Sequence, residues 1–316
     1  MSFSSSAKEE IAKRRVKGRS EKLSMLCALT HAAGSLTLGR GIGVQYVTES
    51  YAVARLIAQL AGLLYGVEAS ISVTERKRLN ARNAVTRLSG EGCRAMLLEF
   101  GFLPKDQEMP FSMGHIPEHL VAEEELSRAF IRGAFLGAGS VADPAKGYHL
   151  EIVCRHELFA RELCELVNAF GFNTRLTVRK SSFALYLKEG EKVSDFLAFL
   201  GANDATISFE NERVLRSVKN DVNRQNNFDQ SNMQKAALAA AQQLIDIELI
   251  RTEIGVENLP PRLRQTAEAR LNYPEANLSE LSEIMGLGRS GVNHRLQKLT
   301  ELANSIRIEK GEPVRE

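Results

Sequence analysis

The feature that most constrains the fold is an internal repeat with a spacing of 105 residues. Ala33-Gly34-Ser35 returns as Ala138-Gly139-Ser140, and Gly66 returns as Gly171. Each triplet follows an apolar stretch with helical periodicity and precedes a strand-like segment, while the two glycines stand where helices commonly end. Repeats of this length indicate one structural unit used twice. We therefore expect two similar units with the order αββαββα.

The two copies extend over about residues 23–102 and 126–203, and one helix of each is rich in small residues. Gly133 and Gly137 are four residues apart, so they share a helix face, and their counterparts in the first copy are Ala28 and Ala32. Glycine lowers helix propensity by about 1 kcal/mol. Small residues at matching positions therefore predict that these two helices pack unusually close together.

The run from Arg132 to Ser140 resembles the signature helix of LAGLIDADG homing endonucleases. That family uses two such helices at a pseudo-two-fold axis and two four-stranded sheets as a saddle over DNA. Its metal is bound by an acidic residue just before the final glycine, but here those positions are Ala33 and Ala138, which lack the oxygen ligands that Mg²⁺ needs. The resemblance therefore implies a scaffold without cleavage chemistry. A metal-dependent endonuclease that uses the displaced acids Asp143 or Glu151 stays open as an alternative.

Basic residues recur at equivalent strand ends of the two copies, although the whole chain has a net charge of only +2. From Glu75 to Arg94 there are six bases against two acids. A local basic patch is enough to bind DNA even when the chain as a whole is nearly neutral. The candidate saddle contacts are Arg76, Lys77, Arg78, Arg82, Arg175, Arg179 and Lys180. The saddle could instead dock a protein or a small ligand.

The last third of the chain has the spacing of a helix-turn-helix over about residues 278–310. Asn277 with Glu280 fits a capping box that begins a short helix, and Gly286 supplies the turn. Val292 and later leucines form the inner face of a second helix. Polar and basic side chains on its outer face can reach base edges and phosphates. The candidate DNA contacts are Arg289, Ser290, Asn293, His294, Arg295 and Lys298.

A LAGLIDADG-like repeat followed by this module resembles the WhiA family. The most specific marks are the run from Arg132 to Ser140 followed by Tyr148-His149-Leu150-Glu151, the run from Arg289 to Leu296, and the stretch from Asn223 to Asn232. The resemblance implies a non-cleaving transcriptional regulator linked to sporulation, cell division and chromosome segregation. It implies double-stranded DNA as partner, at promoters that include the regulator's own, and a partner regulator of the WhiB type. A protein-docking scaffold with an accessory DNA-binding module is a further alternative.

The resulting fold class is α+β: a duplicated pseudo-two-fold domain followed by an all-α helix-turn-helix domain. We expect a basic N-terminal helix or arm over residues 1–22, the duplicated domain over 23–203 with an acidic linker at 103–125, an inter-domain linker at 204–226, and the C-terminal domain over 227–316. The four cysteines lack zinc-site spacing. No cofactor, metal site or membrane partner is predicted, and we expect a cytoplasmic, nucleoid-associated protein without enzymatic activity.

Overall fold

The structure is a computed structural model that describes residues 2–38, 41–76, 81–103, 114–311 and 313. It divides into two compact units, unit 1 with residues 1–217 and unit 2 with residues 218–316. Among the described residues, no helix combines the length and the apolar character that crossing a bilayer requires.

Unit 1 contains the repeat twice, and each copy has the predicted order of helix, strand, strand, helix, strand, strand, helix. After α1 (Phe3–Lys13), copy 1 consists of α2 (Arg19–Ala33), β1 (Gly34–Leu38), β2 (Ile42–Thr48), α3 (Tyr51–Tyr65), β3 (Glu68–Arg76), β4 (Ala81–Ser89) and α4 (Gly92–Glu99). Copy 2 consists of α5 (Glu124–Ala138), β5 (Gly139–Val141), β6 (Leu150–Cys154), α6 (Glu157–Asn168), β7 (Arg175–Arg179), β8 (Ser182–Leu187) and α7 (Gly190–Leu200). The predicted α+β fold is confirmed.

The strands form two antiparallel sheets with matching topology, β1-β2-β4-β3 and β5-β6-β8-β7. Side chains alternate between the two faces of each strand. In β6, Leu150, Ile152 and Cys154 are buried, whereas Glu151 and Val153 are half-buried on the opposite face. Each sheet therefore has one face in the core and one outer face. The outer faces of the two sheets together are called the saddle below.

The central helices α2 and α5 approach each other as closely as the small residues predict. A Cβ atom added to Gly133 would lie 2.4 Å from the carbonyl oxygen of Met25. A Cβ added to Gly137 would lie 2.8 Å from the Cβ of Ala32. Both distances are shorter than the contacts that Cβ atoms make in proteins. Only glycine therefore fits at these two positions without a shift of the facing helix.

The N-terminal segment, which was predicted as a basic helix or arm, contains helix α1 in the structure. Helix α1 is packed into unit 1, because Ala7 and Ile11 are fully or almost fully buried in the core. The carboxylate of Glu10 accepts hydrogen bonds from the backbone N–H groups of Asp204 and Ala205 at 2.9 and 3.1 Å. Its apolar face and this cap hold α1 in the domain.

The described part of the acidic linker, residues 114–123, lies against the helices of unit 1. Ser24 donates a buried hydrogen bond to the carbonyl oxygen of Leu120 at 2.7 Å. The backbone N–H of Ile116 donates to the carboxylate of Glu162 in α6 at 2.6 Å. A short 3₁₀ helix, Glu118–Leu120, completes the segment. These contacts hold the described residues of the linker against both copies.

The predicted linker at residues 204–226 contains the boundary between the two units, after residue 217, and it is helical. It belongs to α8 (Asn203–Glu253), a single helix of 51 residues. Polar composition suggested a linker, yet no glycine or proline interrupts this stretch, and polar residues do not break a helix when their backbone groups pair locally. Pairs one turn apart, such as Glu210 with Arg213 at 3.0 Å, line the helix.

The remaining elements of unit 2 are all helical. They are a 3₁₀ helix at Val256–Asn258, then α9 (Pro261–Asn272), α10 (Leu278–Ile284) and α11 (Arg289–Glu309). The core of unit 2 is formed where α11 packs against α8, α9 and α10, and it includes Ile247, Ile250, Leu281, Val292 and Leu296. It shares no residue with the core of unit 1.

Candidate nucleic-acid interface

Helices α10 and α11 form a helix-turn-helix whose start and turn follow the sequence prediction. The side chain of Asn277 accepts hydrogen bonds from the N–H groups of Ser279 and Glu280 at 2.9 and 3.1 Å, and the Glu280 carboxylate accepts from the N–H of Asn277 at 2.8 Å. Gly286 has a φ of 65°, a left-handed conformation that glycine adopts without strain. The capping box therefore fixes where α10 begins, and the glycine lets the chain turn into α11.

The inner face of α11 is anchored as the periodicity predicts. Val292, Leu296 and Leu299 are buried at 0%, 2% and 1% exposure. Burying such side chains stabilises the module by roughly 1.5–3 kcal/mol each. Because these residues recur every three or four positions, α11 presents its opposite face to solvent.

Most of the predicted contact residues lie on that solvent-exposed face. Four of them are exposed and have no side-chain partner among the described residues: Arg289, Ser290, Asn293 and His294. Lys298 is exposed and lies 4.0 Å from Glu301. Arg295 differs, because it is half-buried and its Nη1 donates to the carbonyl oxygen of Arg262 in α9 at 3.4 Å. The exposed groups comprise guanidinium, ammonium, amide, imidazole and hydroxyl groups, which are suited to phosphates and base edges.

A buried ion pair that the sequence analysis missed connects α11 to α8. The side-chain exposure of Arg307 is 5% and that of Asp246 is 1%, and their charged groups are 2.5 Å apart. Thr300 donates to the second carboxylate oxygen at 2.9 Å, and Arg307 donates to Asn304 at 2.8 Å. One signal was available, since Arg307 stands four residues after the buried Ala303 on the inner face. The network sets the position of α11 on the module.

Arg270 holds the loop that leads into the helix-turn-helix. Its side chain is almost fully buried, and its Nη1 donates to the carbonyl oxygens of Ala276 at 2.5 Å and Tyr273 at 3.4 Å. Burial lowers the pKa of this guanidinium below its usual value. Both carbonyl groups follow the end of α9, so Arg270 satisfies two backbone acceptors of the loop between α9 and α10.

The saddle of unit 1 carries only part of the predicted basic set. Arg175 is exposed on the outer face, opposite Tyr186, which in turn lies opposite Glu151. Arg179 contacts the carboxylate of Glu151, and Lys180 is exposed in the turn between β7 and β8. Lys77 and Arg78 lie outside the described residues, as do the side chains of Arg76 and Arg82.

Two further arginines of the saddle were not nominated from the sequence. Arg87 lies on the outer face of the first sheet and donates to Gln45 at 3.2 Å and to Ser72 at 3.3 Å. Arg155 follows β6 and reaches the other copy, where it donates to the hydroxyl of Ser35 at 3.1 Å. Their outward placement depends on strand register, which the sequence did not fix residue by residue.

Comparison with known proteins gives the family. Three family models match consecutive parts of the chain: the WhiA N-terminal LAGLIDADG-like domain at residues 19–101, the WhiA LAGLIDADG-like domain at 127–219 and the WhiA C-terminal HTH domain at 222–303. A probable cell division protein WhiA from Clostridium tetani is 38% identical over 97% of this chain and 98% of its own length. The chain belongs to the WhiA family. A relative from Clostridium novyi with the same name is also 38% identical, over 98% of this chain and 99% of its own length.

Solved WhiA structures agree with this assignment. A full-length DUF199/WhiA from Thermotoga maritima matches 96% of this chain and 98% of its own length, with a TM-score of 0.59 and 26% identity. An N-terminal LAGLIDADG domain of DUF199/WhiA matches 63% of this chain and 90% of its own length, with a TM-score of 0.50 and 23% identity. The second match supports the fold only.

In this WhiA-family chain, the two acids considered as displaced metal ligands are otherwise engaged. The Asp143 carboxylate accepts the backbone N–H of Ala145 at 3.0 Å, which closes a turn. Glu151 accepts from His149 at 3.1 Å and from Arg179. Burial raises the pKa of the Glu151 carboxyl, but the bonds from Arg179 and His149 outweigh it and leave the pKa below its usual value. Among the described residues, no three His, Cys, Asp or Glu side chains cluster as metal ligands.

Proposed function

We propose that this chain is a non-catalytic, DNA-binding transcriptional regulator that reads its operator with the outer face of α11. The observation that carries the proposal is the exposed and unengaged set Arg289, Ser290, Asn293 and His294 on a helix-turn-helix with a closed core. The family's HTH domain model, which matches residues 222–303, supports it. A side chain that reads a base edge contributes about 1–3 kcal/mol of specific binding.

The test is a gel-shift titration of the full-length chain on genomic fragments that it occupies in cells. We expect Arg289→Ala, Asn293→Ala and Arg295→Ala each to weaken specific binding by about 1–3 kcal/mol. The matched control is Arg251→Ala, which removes an exposed arginine of α8 whose one ion-pair partner among the described residues is Glu248. This variant should leave affinity unchanged. Unaltered affinity in all three α11 variants would refute readout by this face.

The proposed biological setting is a nucleoid-associated protein acting at promoters, its own included, in cell division, chromosome segregation and sporulation. The names of the relatives from Clostridium tetani and Clostridium novyi support the cell-division part. A fluorescent fusion should follow the nucleoid, and the double variant Arg289→Ala/Asn293→Ala should spread through the cell. A partner regulator of the WhiB type belongs to the same proposal, and mixing the two purified proteins on an operator fragment tests it through a further mobility shift.

The absence of catalysis is part of the proposal. It is supported by alanine at positions 33 and 138, which offers no ligand to a divalent cation, and by the engagement of Glu151 with two bases. Supercoiled plasmid and operator fragments incubated with Mg²⁺ or Mn²⁺ should stay intact. Reproducible nicking that disappears in Asp143→Asn or Glu151→Gln would establish the endonuclease alternative instead.

The saddle is proposed as a secondary DNA surface. Its outward arginines, Arg87 and Arg155, and the exposed Lys180 support the proposal. Removing one side chain that binds a DNA phosphate should lower the slope of log affinity against log salt by about 0.9. We expect this decrease for Arg87→Ala and Lys180→Ala, with the exposed Lys146→Ala as control. If the slope is unchanged, a saddle that docks a protein or a ligand becomes the better hypothesis.

A further inference from the structure

Unit 1 contains a small cavity at the outer edge of the second sheet. It lies where β7 and the end of β8 meet the first turn of α7, and its volume is about 240 Å³. The polar residues that line it are Asn173, Arg175, Tyr186, Lys188, Glu189 and Lys192. Typical pockets for drug-sized ligands measure about 300–1,000 Å³, so this cavity fits one compact chemical group.

The cavity concentrates positive charge that its lining balances only in part. Arg175 and Lys188 are exposed and Lys192 is half-buried, yet none of the three forms an ion pair among the described residues. The Nζ of Lys188 lies over the ring of Tyr186, 5.1 Å from its centroid, which orients the ammonium beside the cavity. Glu189 is the one acid in the lining. Three cations against one acid leave an excess of positive charge around the cavity.

The equivalent cavity of copy 1 does not share this property. It is lined by Ser70, Arg87, Ser89, Glu91 and Arg94, among others. Ser70 lies opposite Arg87 in the sheet, as Arg175 lies opposite Tyr186 in copy 2. The lining of the copy 1 cavity holds two cations, Arg87 and Arg94, and Arg87 donates hydrogen bonds to the neutral side chains of Gln45 and Ser72. Duplication of the fold alone therefore does not produce three unpaired cations, and the cluster is a feature of copy 2.

A phosphate group is the ligand that this arrangement fits. Arginine binds its oxygens through a planar fork and lysine through a compact point charge. The first turn of α7 borders the same space, and its backbone N–H groups lack intrahelical partners. We propose that the cavity binds a terminal phosphate of a small phosphorylated ligand, with Arg175, Lys188 and Lys192 as its binding residues. The cavity adjoins the saddle, since Arg175 belongs to its outer face, whereas the operator-reading face is proposed on α11.

The test is isothermal titration calorimetry of the full-length chain with inorganic phosphate and pyrophosphate. Charge-assisted hydrogen bonds contribute about 1.5–3 kcal/mol, so removal of one cation should weaken binding at least about tenfold. We expect this effect for Arg175→Ala and Lys192→Gln, and much less for Lys192→Arg, which keeps the charge. The controls are Lys146→Ala and Arg94→Ala, which remove exposed bases outside the cavity and at the corresponding helix of copy 1.

A parallel titration with a short DNA duplex that contains no operator distinguishes the two sources of phosphate. If Arg175→Ala and Lys192→Gln reduce pyrophosphate binding but leave duplex binding unchanged, the ligand is a small phosphorylated molecule. If they reduce both, and pyrophosphate displaces the duplex, the cavity holds a phosphate of the DNA backbone and the small-ligand proposal is overturned. Absence of heat with phosphate and pyrophosphate at millimolar concentration, or equal affinity in the cavity variants and the controls, also overturns it. Operator recognition by α11 is unaffected by any of these outcomes.

Discussion

The buried ion pair between Asp246 and Arg307 is expected to have a large effect on the stability of unit 2. With exposures of 1% and 5%, both charges are removed from water and depend on each other and on Thr300 and Asn304. Removing one partner of a buried pair leaves the other charge uncompensated, which costs about 3–5 kcal/mol. We therefore expect Asp246→Ala to lower the free energy of unfolding of unit 2 by about this amount in urea denaturation followed by circular dichroism.

The matched control is Glu248→Gln, two residues along the same helix. Glu248 pairs with Arg251 at 2.8 Å, but the two side chains are 45% and 60% exposed. Exposed pairs contribute about 0–1 kcal/mol. Equal losses of stability in the two variants would contradict the role assigned to burial of the Asp246 pair.

Lys8 gives unit 1 a pH dependence. Burial lowers the pKa of its ammonium from 10.5 to about 8, although the charge of Glu49 opposes the shift. Between these two values the unfolded chain binds more protons than the folded one, so stability rises with pH. We expect the wild type to gain stability relative to Lys8→Met from about pH 8 to pH 10.5, as the difference between their free energies of unfolding. If the free energy of unfolding has the same slope against pH in Lys8→Met as in the wild type, other groups cause the pH dependence.

At the scale of elements, the contact between α2 and α5 is expected to tolerate no enlargement. Gly133→Ala gains about 1 kcal/mol of helix propensity, but its Cβ would lie 2.4 Å from the carbonyl oxygen of Met25. Overpacking of a core costs about 1–3 kcal/mol or more. We expect Gly133→Ala to destabilise unit 1 and Gly133→Leu to destabilise it further, as measured by the denaturation midpoint.

Gly62 in α3 provides the opposite case. It is exposed, and the nearest atom to an added Cβ is the carbonyl oxygen of Val67 at 3.9 Å. Gly62→Ala should therefore stabilise unit 1 by up to about 1 kcal/mol through helix propensity alone. If both alanine substitutions shift the midpoint in the same direction, the close approach of α2 and α5 is not what decides the result at Gly133.

At the scale of the whole molecule, the chain has two cores without a common residue, one that extends from Ala7 to Phe209 and one from Ile247 to Ile306. Separate cores predict unfolding in two steps. We expect calorimetry to resolve two transitions, with Asp246→Ala moving one and Gly133→Leu moving the other. A single transition that both variants shift equally would show that the units unfold together.

The limits of sequence interpretation follow from the same physics. Apolar periodicity and glycine positions predicted both copies and the helix-turn-helix, because burial and left-handed turns restrict residue type strongly. The helical state of residues 204–226 was missed because their polar composition was interpreted as a linker, although Val214, Val218 and Val222 recur at helical spacing. Arg87, Arg155 and the Asp246 pair were missed because they depend on register and on contacts between distant segments.

The buried ion pair has a consequence for how such a module can diversify. Apolar contacts alone tolerate small rotations of a helix about its axis, and one residue corresponds to about 100°. The hydrogen bond between Arg307 and Asp246 is directional, so it fixes the rotation of α11 about its own axis. This restraint does not depend on the side chains of the solvent-facing side. Substitutions at Arg289, Asn293 or His294 can then change the chemistry of the outer face while the orientation of that face stays the same. New specificities can arise there by exchanging side chains, without rebuilding the module beneath them.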